Sequence, residues 1–72
     1  MAKDFSKLRG LIVEKYGSQT AFCEATGKTL DWLSRRLNGR VEFGSDDIIE
    51  VVNALEISPQ DISLYFFTPK VR

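Results

Sequence analysis

Three glycines divide the first half of this chain into short segments. They are Gly17, Gly27 and Gly39, and the segments between them carry apolar residues at helical spacing. Glycine readily adopts the left-handed backbone conformation that closes many helices, so each position predicts the end of a helix. The stretch 17–39 therefore predicts two short helices joined by a glycine turn. Helices this short are not stable alone, so a further element has to cover them.

The other helix signals extend this pattern to an all-α fold. Ser18 and Thr29 precede the two short helices as N-caps, and Ser45 precedes a more apolar helix with two aspartates in its first turn. The run 58–61 has the serine, first-position proline and acid that start another helix. We therefore predict five helices and no strand, at about 4–16, 18–26, 30–38, 45–55 and 59–68, followed by a frayed tail at 70–72.

The same periodicity predicts the core. Its expected members are Phe5, Leu8, Ile12, Tyr16, Ala21, Phe22, Ala25, Leu30, Leu33, Leu37, Ile48, Ile49, Val51, Val52, Leu55, Ile62, Tyr65 and Phe66. The fourth helix is the most apolar and is expected at the centre. Cys23 is interpreted as a small buried residue where the second and third helices cross. Phe67 is expected mainly in the core, with exposure for dimerisation left open.

Length and composition limit the class of protein. A chain of 72 residues forms one domain, 1–72, with no room for a second core. A single cysteine excludes an internal disulfide and is typical of a reducing cytoplasm. No stretch approaches the roughly 18 apolar residues of a membrane span, and no apolar run at the start predicts a signal peptide.

Catalysis has little support in the sequence. The chain has no histidine, no acid pair with a neighbouring base, no cluster of metal ligands and no glycine-rich phosphate loop. Asp46 and Asp47 are explained by the positive end of a helix dipole. We therefore expect no catalytic residue, no metal, no cofactor and no small-molecule substrate.

The charge is balanced overall but uneven along the chain. Ten basic and ten acidic residues give zero net charge, which is unusual for a DNA-binding protein. Residues 1–40 contain eight bases and four acids, a net +4, and residues 41–72 contain two bases and six acids, a net −4. This polarity suits docking on an anionic surface or on an oppositely polarised protein, although chance unevenness is an alternative.

The two short helices have the layout of a helix-turn-helix, in which the second helix faces outward. On that helix Asp31, Arg35 and the preceding Lys28 lie opposite the leucines. Arg35 is suited to guanine in the major groove, and Arg36 and Arg40 are placed to reach phosphates. Asp31 fits badly in a groove lined by phosphates, because its carboxylate is repelled there.

Each of these side chains also has a structural interpretation. Asp31 and Arg35 have the spacing of an exposed ion pair worth about 0.3–0.5 kcal/mol. Trp32 either seals the core against the fourth helix or anchors a protein interface. Leu30 is expected in the core more than at a contact. Arg36 and Arg40 are also consistent with solvated surface positions.

Several motifs resemble those of the phage-repressor/Cro helix-turn-helix fold. They are Gln19, Phe22-Cys23, Gly27, Thr29, Leu33-Ser34 and Asn38-Gly39, followed by an apolar helix and Leu55-Glu56-Ile57-Ser58. In residues 5–10, 14–17, 33–38 and 65–69 the chain more narrowly resembles the small Cro-like proteins of temperate phages of Gram-positive bacteria. Its length and charge balance are similar to those of the MOR-type modulators of repression, antirepressors that act on a phage's own CI repressor.

The resemblance implies a five-helix domain of the lambda-repressor/Cro type with its helix-turn-helix at about 18–38. Gln19 and Thr29 match positions that bond the DNA backbone, and residues at 28, 30, 31 and 35 match the surface that reads bases. The departures are Thr26 and Lys28, where an aliphatic is common, and residues 30–32, where polar residues usually face the bases. The candidate residues for binding DNA or repressor are Gln19, Lys28, Thr29, Leu30, Asp31, Trp32, Arg35, Arg36 and Arg40.

Two functions follow from this interpretation. In the first, the chain is an antirepressor that promotes lytic growth by binding the DNA-binding domain of its cognate phage repressor. In the second, it is a Cro-like repressor that binds operator DNA as a dimer, on half-sites about 34 Å apart. The zero net charge, Asp31 and Trp32 favour the first, and a complex of chain, repressor and operator remains open. Both functions place the chain in the host bacterial cytoplasm, without a membrane partner.

Overall fold

The computed structural model describes residues 3–68, which form five α-helices and no strand. The helices are α1 (Ser6–Tyr16), α2 (Gln19–Thr26), α3 (Leu30–Leu37), α4 (Ser45–Leu55) and α5 (Ile62–Phe66), with a 3-10 turn at Pro59–Asp61. The expected all-α class with five helices is confirmed. None of these helices is long and apolar enough to cross a membrane. The expected frayed tail, 70–72, lies outside the described residues.

α1 begins two residues later than expected because a side chain holds the preceding backbone. The carboxylate of Asp4 accepts hydrogen bonds from the backbone N–H of Ser6 at 2.9 Å and from its hydroxyl at 2.6 Å. The helix ends at Gly17, whose φ of +86° lies in the left-handed region that favours glycine. The N–H of Gly17 donates to the carbonyl of Val13 and closes the last turn.

Both caps expected for the short helices are present. The hydroxyl of Ser18 accepts from the N–H of Ala21, and the hydroxyl of Thr29 accepts from the N–H of Trp32, each at 3.0 Å. Gly27, with a φ of +74°, ends α2. Each cap satisfies an N–H that lacks a partner within its own helix, so the first turns of α2 and α3 are both stabilised.

Of the caps expected for the two later helices, Ser45 is wrong, whereas Ser58 occupies the cap position before Pro59 without a side-chain hydrogen bond. Gly44 precedes α4, and Ser45 is the first residue inside the helix. The carboxylate of Asp47 accepts from the N–H of Gly44 at 2.9 Å, so the acid of the first turn supplies the local hydrogen bond. Ser58 makes no side-chain cap bond, and the residues from Pro59 form a 3-10 turn before α5 begins.

The core draws buried side chains from every helix, from the segment before α1 and from the connection after α4. Its members are Phe5, Leu8, Ile12, Phe22, Cys23, Leu33, Leu37, Val51, Leu55, Ile57 and Phe66. The half-buried Phe43, between α3 and α4, packs edge-on against Phe5 and Phe66 at ring-centre distances of 5.4 and 5.2 Å. Burial of this apolar surface is the main term that stabilises the fold.

Four residues expected in the core are exposed: Ala25, Leu30, Ile49 and Phe67. Ile49 precedes the buried Val51 by two positions, and two helical steps of about 100° turn it to the opposite side of α4. Leu30 is the first residue of α3, and its side chain is 47% exposed. The buried residues of α4 are Val51 and Leu55, and α1, α2 and α3 also bury two residues each, so α4 is no more central than they are.

The aromatic run at the end of α5 has three different environments. Phe66 is buried, Tyr65 is half-buried, and Phe67 is 50% exposed. The ammonium of Lys3 lies 5.2 Å from the ring centre of Phe67. The N–H of Asp4 donates to the carbonyl of Thr68 at 2.8 Å, so the two ends of the described chain lie side by side.

Candidate interaction face of α3

The orientation of α3 is set by its two buried leucines. Leu33 and Leu37 lie in the core, while Asp31, Ser34 and Arg35 are exposed. Leu30 adds an apolar side chain that is 47% exposed. We define the α3 face as the candidate residues at positions 28–32, 35 and 36 together with Arg40, which follows the helix after the turn at Gly39.

Asp31 and Arg35 form the ion pair that their spacing allows. The Nε of Arg35 lies 2.9 Å from a carboxylate oxygen of Asp31, and the two side chains are 57% and 71% exposed. A pair this exposed contributes little to stability. Both side chains therefore remain accessible to a partner while holding each other in a defined position.

Trp32 packs inward and is covered by two cations. Its ring meets the ring of Phe43 edge-on at 6.3 Å between centres. The ammonium of Lys28 lies 4.9 Å from the centre of the indole, and the guanidinium carbon of Arg36 lies 4.2 Å from it. Of the two interpretations left open for Trp32, the contacts match the one in which it seals the core.

The same two cations join α3 to α4. Lys28 pairs with Glu50 at 2.9 Å, and Arg36 pairs with Asp47 at 3.3 Å, where the two side chains are only 15% and 21% exposed. Arg36 also donates to the carbonyl of Trp32 at 3.2 Å. The hydrogen bond from Gly44, together with Arg36, holds the pKa of the Asp47 carboxyl below its ordinary value.

Ion pairs cancel the uneven charge of the chain. Of the five ion pairs within residues 3–68, four join a base of the first 40 residues to an acid of the remainder. They are Lys3–Glu42, Lys15–Glu56, Lys28–Glu50 and Arg36–Asp47. Once these four are set aside, each half of the sequence keeps equal numbers of bases and acids. The polarity predicted from the sequence is therefore largely neutralised in the fold.

Arg9 holds the end of α3, a role that the sequence analysis missed. Its guanidinium donates to the carbonyl of Leu37 at 3.0 Å and to the side-chain oxygen of Asn38 at 2.8 Å. A carbonyl in the last turn of a helix has no N–H donor within the helix, so a cation that donates a hydrogen bond to it is favourable. No local pattern indicates a contact between residues almost 30 positions apart.

The nine candidate residues separate into two groups. Leu30, Asp31, Arg35 and Arg40 are exposed, whereas Lys28, Trp32 and Arg36 are half-buried and engaged with each other or with α4. Thr29 is exposed, but its hydroxyl oxygen serves as the cap of α3. Gln19 is half-buried at the first position of α2. The structure thus concentrates the accessible candidates on α3 and the turn that follows it.

Cys23 has the structural position expected of it. It is buried in the core, and its thiol donates to the carbonyl of Thr29 at a sulfur–oxygen distance of 3.5 Å, joining α2 to the start of α3. Burial raises the pKa of the thiol, which keeps it in the unreactive protonated form. Within residues 3–68, no group of three His, Cys, Asp or Glu side chains is arranged to hold a metal ion.

The fold is similar to a solved structure from a phage. This is the solution structure of the modulator of repression (MOR) of the temperate bacteriophage TP901-1 from Lactococcus lactis. The two chains are 43% identical, the match covers 100% of this chain and 97% of that one, and the TM-score is 0.81. This similarity confirms the resemblance to MOR-type modulators.

No curated protein matches the chain at a significant level. A family model matches residues 1–69, and its description is "Protein of unknown function (DUF739)". Because the match covers nearly the whole chain, the protein belongs to this DUF739 family.

Proposed function

We propose that this chain is a phage antirepressor that promotes lytic growth by binding and inactivating its cognate CI-type repressor. The binding unit is the helix-turn-helix at about 18–38 with the adjacent Arg40, and the target is the DNA-binding domain of the repressor. The site of action is the cytoplasm of the host bacterium. The observation that carries this proposal is the small amount of free positive charge on the α3 face.

Most cations of the α3 face are already paired. Lys28 and Arg36 bind acids of α4 and lie over Trp32, and Arg35 shares its charge with Asp31. Within residues 3–68, Arg40 is the one cation of this face that makes no ion pair. Proteins that bind duplex DNA gain affinity by neutralising several phosphates with lysine and arginine. This face offers too few free cations for that mode of binding.

The accessible part of the face has the chemistry of a protein interface. An apolar side chain, Leu30, stands beside the exposed pair of Asp31 and Arg35. Opposite charges held in a fixed order can select a partner with the complementary order and reject others. Against DNA the same Asp31 is a repulsive element. The mixed face therefore favours a protein target.

The similarity to MOR supports the same target. That protein carries the name of a modulator of repression. A modulator of repression has to act on a repressor or on the DNA that the repressor occupies. With the free positive charge of this face so low, we assign the repressor as the partner of this chain.

Binding measurements separate the antirepressor from the Cro-like alternative. The purified chain is titrated into fluorescein-labelled duplex DNA of the phage switch region, with and without the repressor DNA-binding domain, and anisotropy is recorded at several salt concentrations. We expect no binding of the duplex by the chain alone at micromolar concentration, and release of the repressor domain when the chain is added. Nanomolar duplex binding by the chain alone, falling steeply with salt, would instead establish a direct operator repressor.

Substitutions on the α3 face test whether this surface binds the repressor domain. Leu30→Ala and Arg35→Ala are each expected to weaken binding of the repressor domain about tenfold, because each removes an accessible contact. Lys7→Ala is the matched control, since Lys7 is an exposed cation of α1 without an ion-pair partner in the described part of the chain. Equal effects at all three positions would contradict a specific role for α3.

A further inference from the structure

The turn after α3 forms a polar recess on the surface. Six exposed residues line this recess: Asp31, Ser34, Arg35, Asn38, Arg40 and Val41. All but Val41 carry a charged or hydrogen-bonding group. Ser34 and Asn38 were not among the candidate residues, so the recess extends the α3 face towards the end of the helix.

Backbone hydrogen bonds bring the two arginines of the recess together. The N–H groups of Arg40 and Val41 both donate to the carbonyl of Arg35, at 2.9 and 3.2 Å. Gly39 makes this return of the chain feasible, because its φ of +77° lies in the left-handed region. Residues five positions apart thus sit at neighbouring points, and both line the same recess.

The amide of Asn38 is held in place from both sides. Its oxygen accepts from the guanidinium of Arg9 at 2.8 Å, and its NH2 group donates to the hydroxyl oxygen of Ser34 at 3.2 Å. The Ser34 hydroxyl therefore accepts from Asn38 and keeps its own proton for a ligand. Because Asn38 and Ser34 are held before binding, these two side chains lose little conformational entropy when a ligand arrives.

The groups of the recess that are not engaged in these contacts are hydrogen-bond donors. Arg35 uses its Nε for Asp31, and no hydrogen bond within residues 3–68 engages its two terminal nitrogens. The guanidinium of Arg40 has no ion-pair or hydrogen-bond partner in the same described range. Two guanidinium groups against one acid give the recess a positive balance. Its chemistry is that of a site for an oxyanion.

We propose that this recess binds the carboxylate of an aspartate or glutamate side chain on the partner protein. A planar carboxylate matches the fork of a guanidinium. A DNA phosphate is disfavoured because the flanking phosphates would meet Asp31 and would find Lys28 and Arg36 bound to α4. This inference rests on the proposed function, which supplies the repressor domain as the partner.

The first test changes the unpaired arginine. Binding of the full chain to the repressor DNA-binding domain is measured by isothermal titration calorimetry at pH 7. Arg40→Gln is expected to weaken binding at least about tenfold, and Arg40→Lys to recover only part of the loss, because lysine keeps the charge without the fork. Lys7→Gln, which removes one exposed cation outside the recess, is expected to bind as the wild type does.

The second test adds a negative charge without breaking the recess. In Asn38→Asp, one carboxylate oxygen can accept from Arg9 and the other from the hydroxyl of Ser34, so the hydrogen bonds are kept. We expect about tenfold weaker binding with an unchanged midpoint of thermal unfolding. A purely structural role for Asn38 predicts the reverse, a shifted midpoint with unchanged affinity, and would count against the proposal.

The third test locates the partner acid. Each acidic residue of the repressor domain is changed to lysine and measured against Arg40→Glu, and restored binding in one combination would support the proposal. If the wild type binds but Arg40→Gln and Asn38→Asp bind equally well, the inference is overturned and the proposed function stands. Failure of the wild type to bind overturns both. Duplex binding without repressor that Arg40→Gln weakens would identify a DNA phosphate as the occupant and overturn the inference.

Discussion

The guanidinium carbon of Arg36 lies 4.2 Å from the centre of the Trp32 ring, while its Nε lies 3.3 Å from the carboxylate of Asp47. One side chain therefore links the indole of α3 to the first turn of α4. The Arg36–Asp47 pair is mostly shielded from water, in contrast to the exposed pair of Asp31 and Arg35. The two ion pairs should therefore contribute differently to the free energy of unfolding.

Arg36→Ala is expected to lower the free energy of unfolding by about 1–2 kcal/mol, because it removes a shielded hydrogen bond to Asp47 and a cation from the face of Trp32. Arg35→Ala is expected to change it by about 0.5 kcal/mol or less, since its pair is exposed. Urea unfolding followed by circular dichroism gives both values. Equal losses in the two variants would contradict the distinction.

The lowered pKa of the Asp47 carboxyl predicts that the protein loses stability in acid. Its pKa in the folded protein lies below the ordinary value of about 4, so the unfolded chain binds more protons just below that pH. The stabilisation is complete above about pH 4 and is lost as the pH falls through the folded-state pKa. Asp47→Asn should flatten this pH dependence in urea unfolding between about pH 2 and 5. Asp46→Asn is the matched control, and the same flattening there would contradict the assignment.

Two glycine substitutions should act in opposite directions. Gly27→Ala places a side chain at a φ of +74° and is expected to destabilise by about 1–2 kcal/mol. Gly10 lies inside α1 with open space around its Cα, so Gly10→Ala is expected to stabilise by about 0.5–1 kcal/mol. Thermal unfolding measures both. A lowered midpoint for Gly10→Ala would contradict the prediction.

The leucines of α3 should separate stability from binding. Leu33→Ala empties a fully buried site and is expected to cost about 2–5 kcal/mol. Leu30→Ala, at a half-exposed site, is expected to cost less than about 1 kcal/mol while it weakens binding of the repressor domain. Chemical denaturation and calorimetric binding on both variants provide the comparison. A large stability loss for Leu30→Ala would instead indicate that this side chain packs as part of the core.

The elements best predicted from the sequence are those that local interactions determine. Ser18 and Thr29 bond to an N–H three residues away, and Gly17 and Gly27 end their helices where the backbone turns left-handed. The groups that interact lie within a few residues of one another, so the pattern of residue types along the sequence predicts these interactions directly. The bounds of α2 and α3 differ from the expected ones by no more than one residue.

Contacts between distant residues could not be predicted in the same way. Phe43 stands in a connection without periodicity, yet its ring contacts Phe5, Trp32 and Phe66. Arg9 reaches Asn38 across 29 positions. Hydrophobic periodicity assigns a side chain to a face of its own helix, but only the packing of helices determines which residue of another element it meets.

In the candidate site, too, exposure along one helix could be predicted from the sequence, whereas contacts with another helix could not. The helical step predicted an outward set on α3, and Asp31 and Arg35 are indeed exposed. The sequence did not indicate that Lys28 and Arg36 would be bound by Glu50 and Asp47, because those acids belong to a different helix. A short polar side chain such as Asn38 also gave no local sign that it would line the recess.

The four ion pairs between the two halves of the chain have a kinetic consequence. With eight charges of residues 3–68 matched in these pairs, less of the uneven charge of the sequence is free to attract a partner over distance. The protein's encounters should then proceed at the unassisted rate of about 10⁵–10⁶ M⁻¹s⁻¹, nearly independent of ionic strength. A regulator of this kind has to achieve its selectivity by how long each complex lasts, after the two surfaces have already met.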